Sequence, residues 1–176
     1  MALDTYMVLA SQYSNEEDAV ADYHAVRNLY TGLGIIDTFD AAVLTRDDHG
    51  KVNIVQRVEE PAGHGGGKRL VVGLATGVAV ALFPALSLAL DVEMSEGISS
   101  GAAADVVASH VVRGMKRSDL KDLGDLLDNG ASALLVVAAT DLEARVRAAV
   151  IRSKRRAKGR LRADEGALER GLDRAA

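Results

Sequence analysis

His24, His49, His64 and His110 are the side chains of this sequence best suited to proton transfer or metal binding near neutral pH. No pair of them has the spacing that sets two ligands on one helix face. Cysteine is absent, so thiolate metal sites, disulfides and cysteine nucleophiles are excluded together. His49 falls in a turn, His64 in a glycine linker and His24 beside the apolar stripe of a helix. His110 lies on the apolar side of a later helix and reads as an interface residue. Asp91, Glu93 and Glu96 lack the Asp-x-Asp-x-Asp-Gly order of a calcium loop. Gly63-His64-Gly65-Gly66-Gly67-Lys68 looks phosphate-binding, but Ala62 and Arg69 stand where a P-loop needs Gly and Ser/Thr. The His-Glu-x-x-His zinc motif is also missing. The expectation is a non-enzymatic protein with no catalytic residues, no metal and no cofactor.

Charge is the remaining chemical signal. The formal net charge of −4 conceals a gradient: residues 1–67 carry 4 basic and 11 acidic side chains, whereas residues 140–176 carry 11 and 6. The basic excess gathers in Arg152, Lys154, Arg155, Arg156, Lys158, Arg160 and Arg162. Such an array suits an anionic partner, either a membrane surface or the acidic first third of another copy. With 3% aromatics and no Trp, base-stacking platforms are lacking, and no specific nucleic-acid partner is expected. The apolar share of 48% supports a folded core rather than disorder. Met1-Ala2-Leu3-Asp4 shows neither a basic nor an apolar leader, so a cytoplasmic location, with or without membrane association, is expected.

The elements follow from periodicity. Tyr6–Gln12 is apolar on both faces, as a central strand requires. Ser14, with Glu17 three residues on, predicts the start of a helix, along which Ala19, Tyr23, Val26, Tyr30 and Leu33 form one stripe. Phe39–Arg46 and Lys51–Val58 read as strands joined by an Asp/Gly turn, although Val55 and Gln56 break the alternation of the second. Glu59–Gly67 is a glycine-rich breaker. Helices are expected over 101–115, with Val106, Val107, His110, Val111 and Met115 on one side, and after Ser118, with Leu120, Leu123, Leu126 and Leu127 inward. Ala131–Ala139 is a two-sided apolar strand, and Leu142, Val146, Ala149 and Val150 mark a last helix. Beyond it the reading stays open: a short strand near Arg160–Ala163, then a helix weakened by Gly166 and Gly171.

This order predicts an α+β fold, a ferredoxin-like split βαβ antiparallel sheet with an inserted glycine-rich apolar helical hairpin. Its parts are residues 1–58 and 118–151 as the two halves of the sheet domain, 59–117 as linker and hairpin, and 152–176 as a basic tail. The insertion contains Leu70–Leu90, 21 residues without a charge. As a straight helix this run would measure ~32 Å, close to the ~30 Å of a hydrocarbon core. Pro84 interrupts it, and the second arm carries Glu96 and Asp105, which suit a bilayer poorly. Gly73, Gly77 and Ala81, then Gly97 and Gly101, form small-residue rows that permit close helix packing. Together with His110 they are the expected contacts between copies.

Several segments resemble a bacterial family of uncharacterised proteins, domain of unknown function twelve sixty-nine. They are Tyr6–Gln12, the hairpin from Thr45 to Val52, the apolar segment from Gly63 to Ala89, and DLKDLGDLLDNGASALLVV from Asp119 to Val137. Gly159-Arg160-Leu161 and Asp164-Glu165 are similar to the family's closing strand and helix, though the segment is more arginine-rich here. The resemblance brings no catalytic residues, and the family's frequent description as membrane proteins reflects the same apolar run. Three readings follow: a homo-oligomeric assembly protein packed through its glycine-rich helices; a membrane-associated protein that inserts residues 70–90 and lays its basic tail on anionic lipid; or a ferredoxin-like ligand-binding dimer or enzyme.

Overall fold

The computed structural model describes residues 4–33, 39–47, 51–57, 74–83, 108–128, 132–140 and 143–163. These form an α+β structure around a five-stranded antiparallel sheet. Its strands are β1 (Asp4–Tyr13), β2 (Phe39–Arg46), β3 (Val52–Arg57), β4 (Ser132–Ala139) and β5 (Arg155–Ala163), in the spatial order β3-β2-β4-β1-β5. The helices are α1 (Glu16–Leu33), α2 (Leu74–Leu82), α3 (Arg117–Asp128) and α4 (Glu143–Ala149), together with a helical segment over 108–114.

The two strands that are apolar on both faces occupy inner positions. β1 lies between β4 and β5, and β4 lies between β2 and β1. Met7, Val8, Leu9 and Ala10 are all buried, as are residues 132–138. Two cores result. Met7, Leu9, Tyr13, Ala41, Val43, Leu134, Val136 and Ala138 pack under α1 and α4. Tyr6, Val8, Ala10, Ala42, Leu44, Leu135, Val137 and Leu161 pack under α2, the 108–115 segment and α3. Four strands, with a short fifth left open near Arg160–Ala163, were expected; the described residues build five, and α2, the 108–115 segment and α3 cover the second face.

α2 is the described part of the apolar arm. Ala75, Val78, Ala79 and Val80 are buried against the sheet of the same chain. Burying the two valines contributes about 1.5–3 kcal/mol each relative to exposure. Gly77 is buried as well, and Ala81, Leu82 and Phe83 pack at the rim of this core. A single copy therefore shields the arm over these residues. Residues 70–73 and 84–107, which belong to the expected hairpin, lie outside the described residues.

Local boundaries carry three corrections. The α1 cap is Asn15 rather than Ser14: the Asp18 N–H donates to Asn15 Oδ1 at 2.9 Å, and the Asn15 side-chain amide returns a bond to Asp18 at 3.3 Å. The broken alternation in β3 is a bulge. Leu44 faces Ile54 but Val43 faces Gln56, so Val55 is the extra residue and stands 38% exposed. The closing strand is longer than expected, running from Arg155 to Ala163 and pairing with β1 over nearly its whole length. Much of the segment read as a basic tail is thus a sheet edge.

Candidate anion-binding edge

The turn into β5 is fixed by a buried carboxylate. Asp22 of α1 is fully buried. It accepts the Tyr13 hydroxyl at 2.8 Å, the Arg152 backbone N–H at 3.0 Å and Arg152 Nη1 at 2.9 Å. Burial, reinforced by the hydrogen bond to Asp22, pushes the Tyr13 phenol well above its ordinary range. Arg152 is therefore a structural ion-pair partner rather than a free cation. The Lys154 N–H then donates to the Gln12 carbonyl at 2.8 Å, and β5 begins.

Antiparallel pairing with β1 fixes which way β5 presents its residues. Ala157, Gly159 and Leu161 face Ala10, Val8 and Tyr6 and join the core under α3. Arg156, Lys158, Arg160 and Arg162 face Ser11, Leu9, Met7 and Thr5 and share the other side. All four are exposed. Alternate residues on a strand lie about 6.6 Å apart, so these cations form a regular row. Lys158 Nζ is 2.8 Å from Glu143 Oε1, and this bond holds the Glu143 carboxyl below its ordinary range. Arg156 donates to the Arg147 carbonyl at 3.4 Å. The side chains of Lys154, Arg155, Arg160 and Arg162 make no ion pair among the described residues.

Beyond β5 the sheet has no further strand among the described residues; only Met115 bridges to it, at Leu161. Two glycines allow the close packing at this end. A Cβ on Gly114 would collide with the Arg162 carbonyl oxygen. A Cβ on Gly159 would lie 2.9 Å from the Met115 methyl carbon. Between these walls opens a cleft of about 420 Å³, lined by Thr5, Arg113, Gly114, Met115, Lys116, Asp119, Arg160 and Arg162. Asp119 accepts the Arg160 backbone N–H at 3.2 Å.

Of the expected contacts between copies, Gly77 is buried and Ala81 half-buried within the chain itself, and His110 is half-buried in the segment over 108–114. Gly73, Gly97 and Gly101 lie outside the described residues. Sequence reasoning missed Thr5, Arg113, Lys116 and Asp119, which only the fold brings to β5; a glycine inside each of two regular elements, Gly114 and Gly159, was the one hint. It also passed over Gly97-Ile98-Ser99-Ser100-Gly101, which has the spacing of a nucleophile elbow. Its residues lie outside those described.

Among the described residues, no group of three or more His, Cys, Asp or Glu could hold a metal ion. Nor is any described helix long and apolar enough to cross a membrane. No family model, curated protein or solved structure matches this chain.

Proposed function

We propose that this chain is a non-enzymatic assembly protein on a ferredoxin-like core, which binds further copies of itself through the cationic edge strand β5. The ferredoxin-like reading rests on two interlocked units. β1 and β2, joined through α1, are both antiparallel to β4 between them; β4 and β5, joined through α4, are both antiparallel to β1. β3 is then an added edge strand and the helices on the second face an insertion. Kinship with the family of domain of unknown function twelve sixty-nine is part of the same proposal and assigns no chemistry.

The observation that carries the assembly reading is the row of cations on β5, which beyond the Met115 bridge pairs with no further strand among the described residues, in a chain whose first 67 residues hold 11 acids and 4 bases. Pairing of β5 with β5 of another copy would set Arg and Lys opposite Arg and Lys, which disfavours that contact. The contact that charge favours is heterologous, cationic edge against acidic surface, with the exposed Glu16 and Glu17 at the start of α1 as the acidic side. Heterologous contacts close into rings or extend as filaments. Gly77 is enclosed in its own chain while Gly73, Gly97 and Gly101 lie outside the described residues, so this edge carries the assembly reading.

Size-exclusion chromatography with light scattering tests the proposal. The wild type is expected to run as a large species at low salt and to dissociate at high salt. Charge reversal at Arg156, Arg160 and Arg162 should give monomers, and mixing those with a Glu16→Lys, Glu17→Lys variant should restore the large species. A wild-type monomer at low salt overturns it. The same row of cations would also suit anionic lipid, and salt-sensitive flotation with acidic vesicles by a protein monomeric in their absence would select that reading.

A further inference from the structure

The cleft at the end of β5 is lined by four cationic residues. Arg113 and Lys116 come from one wall, and Arg160 and Arg162 from the strand opposite. All four are exposed, and none of their side chains forms an ion pair among the described residues, although Arg160 is near enough to Glu143 to help lower its carboxyl. Asp119 is the one carboxylate in the lining among the described residues, and it is engaged with the β5 backbone. We infer that this cleft binds a compact diphosphate group, a pyrophosphate or the diphosphate portion of a small soluble metabolite.

The chemistry is specific in three respects. Arginine offers a planar fork of donors matched to phosphate oxygens, and three arginines and a lysine are among the residues lining a volume of about 420 Å³. That volume is within the usual range for small-ligand sites, roughly 300–1,000 Å³. Two linked phosphates carry a charge of roughly −3 near neutrality, which suits a lining where cations outnumber carboxylates among the described residues. Among the described residues no aromatic side chain lines the cleft to stack on a base or ring. Recognition is thus of the phosphates rather than of what they are attached to.

The site shares Arg160 and Arg162 with the proposed assembly edge but does not depend on assembly. Isothermal titration calorimetry on the full chain, with inorganic pyrophosphate as the probe, tests it. One saturable site per chain is expected at low salt, with orthophosphate weaker and nucleoside diphosphates of different bases equal to one another. Arg113→Gln and Arg162→Gln should each weaken pyrophosphate about tenfold or more. Asp119→Asn keeps the acceptor for the Arg160 N–H and removes the like charge, so it should tighten binding. That gain guards against misreading a folding defect, because a merely damaged cleft would not bind more strongly.

Two variants separate this site from the assembly edge. Arg113→Gln should lose pyrophosphate and keep oligomer size, and Arg156→Glu should reduce oligomer size and keep pyrophosphate. Absence of saturable pyrophosphate binding overturns the inference, as does binding that ignores both Arg113→Gln and Asp119→Asn. Binding only to phosphatidic acid vesicles, with none to soluble pyrophosphate, overturns it too.

Discussion

Replacing Asp22 should be the most damaging single change to the described polar interior. Its carboxylate is fully buried and takes three hydrogen bonds, from the Tyr13 hydroxyl, the Arg152 N–H and the Arg152 guanidinium. Asp22→Ala leaves the Tyr13 hydroxyl, itself buried, without its acceptor, and strands the Arg152 N–H. An orphaned donor of this kind costs about 1–3 kcal/mol. The Arg152 side chain is 42% exposed and can turn to water, so its share is discounted. The total is about 3–5 kcal/mol, a large fraction of the roughly 5–15 kcal/mol by which a domain is folded. Tyr13→Phe alone should cost about 1–2 kcal/mol. The double variant should cost less than the sum of the singles by about 1 kcal/mol or more, because removing the hydroxyl also removes the orphan. Urea unfolding, with ΔG extrapolated linearly and the slope checked for constancy, measures each corner of the cycle. Losses that add within about 0.5 kcal/mol would show that the two side chains do not share a bond in solution, and the account of how β5 is anchored would fail.

Other consequences can be checked in the same preparations. Gly114→Ala should destabilise by about 1–3 kcal/mol in thermal melts, since the new methyl meets the rigid Arg162 carbonyl; Gly159→Ala should cost less, since its nearest neighbour is the movable end of Met115. The Tyr13 phenol is raised above its ordinary 10.0, so the folded chain holds that proton more tightly than the unfolded one. Its contribution to stability is complete below pH 10 and is lost as pH rises beyond it; the difference in tyrosinate absorbance between wild type and Tyr13→Phe should show that Tyr13 titrates only with unfolding. Glu143 is lowered from 4.5, chiefly by the bond from Lys158, so its small contribution is present above pH 4.5 and fades as pH falls below it. Lys158→Ala should flatten that acid limb of the stability profile, and an unchanged limb would dissociate Glu143 from β5.

Local pattern determined a good deal of this protein. Two strands apolar on both faces, Tyr6–Gln12 and Ala131–Ala139, had to be interior, and they became β1 and β4. The Ala19, Tyr23, Val26 stripe had to face a core, and all three are buried. The flaw in alternation at Val55 and Gln56 was already in the sequence; its meaning as a bulge appears only when β2 supplies the register. Charge counts located the basic segment but could not order it.

Only the tertiary structure decided what covers the second sheet face. An apolar run of 21 residues reads alike whether it meets lipid, another copy or its own sheet, because hydropathy records the wish to leave water and not the destination. Over the described part of that run the destination is the chain's own sheet. The cleft was equally hidden. Its cations come from positions 113, 116, 160 and 162, more than 40 residues apart across the two walls. Pairing of β5 with β1, and the missing side chain at Gly114, are what bring those walls together.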